Sequence, residues 1–279
     1  MKDLQSFENL LIEIPIIKRK LDEFESFMYF ELSKYKNSIF YDSIIYALEG
    51  GKRIRPILLI LSSEVVGVPE KEPFSAALAI ELVHTVSLVH DDIIDKEESR
   101  RGKPAYHITY GLDQSILLAD FALSMVVDLI NKYGSKSLFS IISDAVKKMS
   151  EGELYETKVK NKDSIEVEDY LFIIENKTSS LFEASSKIGA ILSTKNNDYI
   201  MNLSNFGKFL GMAYQIYDDI RDWQSKEYVQ KIKVDNILDF LKNKAEFFLN
   251  ESNNYLNLLP SNEARNALQY FIDIILKYT

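Results

Sequence analysis

Apolar residues recur every three to four positions along nearly the whole chain, a pattern that a stack of helices buries and a sheet does not. The period predicts helices from Phe74 to about Asp95, Asp113 to about Asn131, Leu138 to about Val159 and Val167 to about Leu192. Another is expected from about Tyr199 to Asp222, and two more close the chain. The stretch "LIEIPIIKRKLDEFESFMYFELSKY" is helical too, with Pro15 near a start or a kink. "SIIYALEGGKRIRPILLILSSEVVG" breaks at Gly50-Gly51 and again at Pro56. Between Gly111 and Thr279 no run alternates strictly between hairpin turns. Only 10 Gly and 6 Pro occur in 279 residues, too few for a turn-rich β architecture. With 46% hydrophobic residues and no Pro-, Ser- or Gly-rich linker, the expectation is one all-α domain spanning residues 1–279.

Several functional classes drop out. A net charge of −9 disfavours nucleic acid as a partner, since phosphate backbones need a basic surface. The absence of cysteine removes disulfides, thiolate metal sites and cysteine nucleophiles. The first twenty residues lack an apolar core followed by a small-residue cleavage site, so no signal peptide is expected. The most apolar run, "ILLADFALSMVVDLI", is interrupted by Asp120 and Asp128, so it predicts a buried helix and no membrane span. A cytoplasmic location is the default expectation.

The chemistry concentrates in four places. "HTVSLVHDDIIDKEESRRGKPAYH", from His84 to His107, carries Asp91, Asp92 and Asp95, followed by Arg100 and Arg101. "QIYDDIRDW", from Gln215 to Trp223, repeats the spacing with Asp218, Asp219 and Asp222, an echo without a fixed-period repeat. On a helix Asp91 and Asp95 share a face, with His84, Ser87 and Val83 continuing the stripe below. Three neighbouring carboxylates repel one another and call for a positive partner. Carboxylates are hard oxygen donors suited to Mg²⁺, which takes one or two of them together with waters and phosphate oxygens. A solvated acidic face is the plainer meaning of one such motif. A second copy in an apolar setting, where unpaired carboxylates are costly to bury, argues against it. "GGKRIRP", from Gly50, places Lys52 and Arg55 near a helix start, suited to phosphate. Lys177-Thr178, in "IENKTSSLF", is unremarkable alone.

Taken in order, "GGKRIRP", "LVHTVSLVHDDIID…RRGKPAYH", "KTSSLF" and "GMAYQIYDDIRD" resemble the trans-type isoprenyl diphosphate synthases, the polyprenyl synthetases, over roughly Ser43 to Asp222. That resemblance implies an antiparallel helical bundle with a central hydrophobic tunnel, a geranylgeranyl diphosphate synthase-like activity and a homodimer. It implies head-to-tail condensation of isopentenyl diphosphate with an allylic diphosphate, which ionises to a carbocation and pyrophosphate. By the same likeness Asp91, Asp92, Asp95, Asp218 and Asp219 hold several Mg²⁺ ions, with Asp222 further out. Arg100 contacts the allylic diphosphate, while Lys52, Arg55, His84 and Arg101 bind isopentenyl diphosphate without metal. Lys177, Thr178 and Gln215 sit near the reacting carbons, Lys177 also reaching the diphosphate. The family's lysine-rich GK…D…K-T-P segment is missing, leaving Lys226, Lys231 and Lys233 as candidate replacements.

Product length is read along the Asp91 helix. At 1.5 Å per residue Ser87 lies about 6 Å and Val83 about 12 Å below Asp91. Val86 and Ser87 offer no aromatic block, which disfavours a C15 stop and leaves the tunnel open to C20 or to C25–C30. Phe121 and Met125 are either its floor or ordinary core. Other classes remain in view: a non-catalytic subunit of a heteromeric synthase, a terpene cyclase without a second diphosphate seat, and a bundle that only stores metal.

Overall fold

The computed structural model describes residues 11, 13–133, 135–223 and 226–278. Residues 1–10 and 12, half of the stretch read above for a signal peptide, lie outside the described residues. Pro15 opens α1 (Pro15–Ser33), where its missing N–H would have had no partner. Helices α2 (Tyr41–Leu48) and α3 (Ile54–Val65) follow, separated at Gly50-Gly51 as expected. No break occurs at Pro56. It is the third residue of α3, still within the first turn, where a helix needs no backbone donor.

Helix α4 (Phe74–Ile94) carries the first aspartate motif. A two-residue hairpin, β1 (Ser99–Arg100) with β2 (Lys103–Pro104), then turns the chain and sets the two arginines off the helix axis. After the short α5 (Tyr106–Tyr110) come α6 (Leu112–Asn131), α7 (Lys136–Val159) and α8 (Val167–Ile174). The helix predicted over 167–192 is continuous but not uniform. A π-helical turn at Glu175–Ser179 separates α8 from α9 (Ser180–Ser193), and it holds Lys177 and Thr178. Helix α10 (Asn197–Arg221) brings the second motif and is N-capped by the Asn196 side chain. The short α11 (Glu227–Gln230) leads to α12 (Ile237–Asn257) and α13 (Glu263–Tyr278).

Three helices are internal. Along α4 every residue from Ala76 to Val83 is buried, and α3 and α9 are nearly as enclosed. Such helices need small residues where backbones meet. A Cβ on Gly189 of α9 would stand 2.3 Å from the Leu59 carbonyl oxygen of α3. Some buried hydroxyls return to their own helix, Ser63 donating to Ile60 O and Ser185 to Leu181 O, whereas the buried Ser62, Thr85 and Ser186 hydroxyls have no hydrogen-bond partner among the described residues. The outer helices wrap this centre: α6 lies on α4, α12 on α10, and α7 on the π turn. Most buried side chains from Leu11 to Ile275 form one contiguous apolar cluster, with Val159, Ile165 and Ile173 as a small satellite. Among the described residues no helix is long and apolar enough to cross a membrane.

Close backbone packing makes a test. Gly189→Ala is expected to destabilise the fold by about 1–3 kcal/mol through overpacking, although alanine is the better helix former. Urea denaturation should show a lower midpoint at unchanged slope. An unchanged or raised midpoint would contradict the α3–α9 contact.

Candidate active site

A cavity of about 720 Å³ runs between α4, α6, α7, the π turn and α10, reaching the start of α3 and the hairpin. One end is basic. Lys52, Arg55, His84, Arg100 and Arg101 all line it, drawn from three separate segments. The Arg55 guanidinium lies 4.7 Å from the centre of the Phe182 ring, and its Nη1 stands 3.0 Å from His84 Nε2. A guanidinium has no lone pair to offer, so Nε2 must accept and the imidazole proton sits on Nδ1. Burial, reinforced by Arg55 and the other arginines, drives the His84 pKa well below its ordinary value and keeps the ring neutral.

The aspartates divide by position. Asp91 and Asp218, the first of each motif, line the cavity; their neighbours do not. Asp92 is buried and takes a 2.8 Å bond from Arg100 Nε. Asp219 is completely buried and accepts from Tyr170 Oη at 2.7 Å, Gln215 Nε2 at 3.0 Å and Lys226. Asp95 meets Lys160 at 2.6 Å and Asp222 is held by Arg221 at 2.9 Å. Adjacent positions on a helix point about 100° apart, which is why one member of each pair faces the cavity and the other the protein.

Lys177 is anchored to α7. Its ammonium lies 2.5 Å from Glu153 and 2.9 Å from Glu156, both on α7. The backbone of the turn comes so near α7 that a Cβ on Gly152 would meet Lys177 N at 2.5 Å. Next to it Thr178 Oγ1 donates to Gln215 Oε1 at 2.7 Å, tying the turn to α10. Burial pushes the Asp91 carboxyl up to about 7, with Glu153 and Glu156 adding to the rise and Lys177 opposing it. For Lys177 burial acts downward but is outweighed by Glu156, Asp91 and Glu153, so its pKa is raised and it stays charged.

Much of the remaining wall is apolar, interrupted by Ser87, His90, Ser150 and Thr157. Val83, Val86 and Ser87 all line the cavity, as do Leu123, Val146 and Met149. Phe121 and Met125 do not. Phe121 stacks on Phe40 at 4.6 Å and Met125 is buried core, so Leu123 is the α6 residue that faces the cavity. Of the candidate lysines, Lys226 reaches Asp219. Lys231 bonds the Lys160 carbonyl at 3.0 Å and Lys233 pairs with Glu166. Sequence reasoning missed Glu153 and Glu156, whose Gly-Glu-x-x-Glu spacing on a predicted helix was the available signal. It also missed Tyr170, Lys160 and the Arg53–Glu81 pair, for which no local signal exists.

Comparison with known proteins agrees with this architecture. The polyprenyl synthetase family model matches residues 37–255, and the chain belongs to that family. It is 35% identical over 185 residues to a geranylgeranyl diphosphate synthase of Methanosarcina mazei, covering 64% of this chain and 57% of that protein. An octaprenyl diphosphate synthase of Escherichia coli is 34% identical over 176 residues, 63% of this chain and 54% of the relative. The matched part thus spans little more than half the length of these curated relatives. Among solved structures, a geranylgeranyl pyrophosphate synthetase from Pyrococcus horikoshii superimposes with a TM-score of 0.83 at 27% identity, over 98% of this chain and 99% of that one.

The neutral His84 makes stability depend on pH. Its folded pKa is depressed, so its contribution is complete above the ordinary value of about 6.5 and is lost as pH falls below it. Between about pH 7.5 and 5.5 the wild type is expected to lose more stability than His84→Gln, measured by urea denaturation. Equal losses would contradict a buried neutral imidazole.

Proposed function

We propose that the protein is a Mg²⁺-dependent prenyltransferase that condenses isopentenyl diphosphate with allylic diphosphates to an all-trans polyprenyl diphosphate, geranylgeranyl diphosphate (C20) first among the products. One observation carries this reading: a single cavity has an arginine-rich end, a pair of cavity-facing aspartates and an apolar barrel between helices. Two anionic head groups and one hydrocarbon tail fit that division of surface.

Asp91 and Asp218 are the residues proposed to hold Mg²⁺, with Asp95 a turn beyond Asp91. Both are hard oxygen donors facing one space, as the ion requires. When bound, the metal supplies Lewis-acid stabilisation of the pyrophosphate leaving group. Among the described residues no three carboxylate or imidazole groups converge on one point, so the diphosphate oxygens would complete the coordination. Asp92 and Asp219 are assigned an orienting part, Asp92 through Arg100 and Asp219 through Gln215, Tyr170 and Lys226. Lys226 is proposed as the stand-in for the missing lysine-rich segment. Isopentenyl diphosphate is assigned to Lys52, Arg55, His84 and Arg101, where guanidinium groups bind phosphate without metal. The oxygens of Thr178 and Gln215 face the reacting carbons and lend negative potential to the cation. The apolar wall excludes water, which would otherwise quench that cation.

The absence of an aromatic at Val83, Val86 and Ser87 supports a product beyond C15, and C25–C30 is the alternative length. Exposed Ile116 and Val127, about three turns apart on α6, support the homodimer that the resemblance implies. A single domain and a cytoplasmic location belong to the same reading.

The test is a product assay with Mg²⁺, isopentenyl diphosphate and C5, C10, C15 and C20 primers. A C20 product is expected, and Asp91→Ala should lower its rate by about 10²–10³-fold with the fold intact. No product from any primer would overturn the reading in favour of a non-catalytic subunit.

A further inference from the structure

In the wall of the basic end lies a buried ion pair, Arg53 with Glu81, that bonds neither cavity-facing aspartate. Arg53 Nη1 donates to Glu81 Oε1 at 2.7 Å, and the two side chains are only 1% and 2% exposed. Arg53 Nε stands 3.6 Å from Glu25 on α1. Arg53 is also the N-cap of α3 and has left-handed backbone angles, φ 56° and ψ 27°. A non-glycine residue stays in that region only where its surroundings hold it there. Gly51 is part of the same arrangement. A Cβ at that position would lie 2.0 Å from Arg53 Nη1 and 2.9 Å from both Glu81 Oε1 and Arg101 Nη1. The guanidinium therefore passes directly under the loop, and the loop rests on it.

Charge explains why a carboxylate is needed there. Arg53, Arg55, Arg100 and Arg101 all act electrostatically on His84, so four guanidinium groups crowd one end of the cavity. Asp92 takes up Arg100. Glu81 is the buried carboxylate that faces Arg53 directly and also acts on Arg55 and Arg101. Without it the loop's three cations, Lys52, Arg53 and Arg55, would lose the buried carboxylate that Arg53 bonds, and Arg53 would keep its 3.6 Å contact with Glu25.

We infer that Arg53 and Glu81 are positioning residues for the metal-free diphosphate seat, their buried pair clamping the Gly50–Arg55 loop so that Lys52, Arg55 and Arg101 converge on one anion. The inference rests on the proposed reading of the cavity, and it assigns to the pair rigidity and not charge. Arg53 and Glu81 belong to the cavity lining, but with 1% and 2% of their side chains exposed they present almost no surface to a substrate, and the charge of Arg53 is matched by Glu81. The metal-bearing end lies on other residues, so the allylic substrate should not sense the pair.

The test compares wild type with Glu81→Gln and with the double variant Arg53→Met/Glu81→Leu. The double variant guards against simple unfolding, because replacing a buried ion pair by apolar groups of similar size is often neutral for stability. Isopentenyl diphosphate binding is read by calorimetry without Mg²⁺, where this seat acts alone, and KM is read for both substrates. Both variants are expected to bind isopentenyl diphosphate about tenfold more weakly, because the loop is misplaced. The KM for the allylic substrate and kcat at saturation should stay within about threefold of wild type. Two results would overturn the inference: a folded double variant that binds isopentenyl diphosphate like wild type, or equal weakening of both substrates. If wild type itself neither binds nor condenses isopentenyl diphosphate, the proposed function fails separately. Inorganic pyrophosphate without metal then probes the same seat, and equal binding by wild type and variants overturns the role of the pair.

Discussion

The docking of the π-helical turn onto α7 is the contact on which the cavity depends. Gly152 lets the backbone at Lys177 approach, Glu153 and Glu156 close on the ammonium, and Thr178 reaches across to Gln215. One extra residue in a turn of helix thereby links α7, α9 and α10 at a single point. A π turn offsets the helical register, and such turns recur where a side chain must be re-aimed. Here the re-aimed residues are Lys177 and Thr178, both of which line the cavity. An unpaired ammonium in so enclosed a position would be costly, so the glutamates are required by Lys177 as much as they orient it.

On the proposed reading the two ends of the cavity are anion seats built on opposite logic. At the arginine end cations crowd together and a carboxylate below them restores balance. At the aspartate end carboxylates crowd together, and Lys160, Lys177, Arg221 and Lys226 stand among them. On that reading the first would take a phosphate as it stands and the second a diphosphate together with added positive charge; burial, the first cause, with Glu153 and Glu156 adding to it, raises the cavity-facing Asp91 carboxyl to about 7. Under that proposal two substrates with the same head group would be told apart by whether a metal accompanies them.

Much of this was legible in the chain. The helices follow from the 3.6-residue period because most of them bury one broad face, and the internal α4 announces itself by small and apolar residues together. The π turn was not legible, since one added residue shifts the apolar pattern too little to be seen in a single turn. Pro56 was misleading because a first-turn proline and a helix break leave the same trace in sequence. Motif spacing named Asp91 and Asp218, but not that Asp92 and Asp219 turn inward, which depends on what packs behind each helix. The choice of Lys226 over Lys231 and Lys233 depends on the path of a loop held by a lone pairing of Ile165 with Ile232. Arg53 and Glu81 are 28 residues apart, and nothing local marks them as partners.

The central claim is that Asp91 and Asp218 act together on one diphosphate. The most direct measurement is anomalous diffraction from crystals of the protein grown with Mn²⁺ and a non-hydrolysable allylic diphosphate analogue. The expected result is metal density at the Asp91 and Asp218 carboxylates, with the diphosphate between them and the hydrocarbon tail running past Ser87. A diphosphate bound in the cavity with no metal at either aspartate, or metal confined to outer carboxylates, would contradict the account.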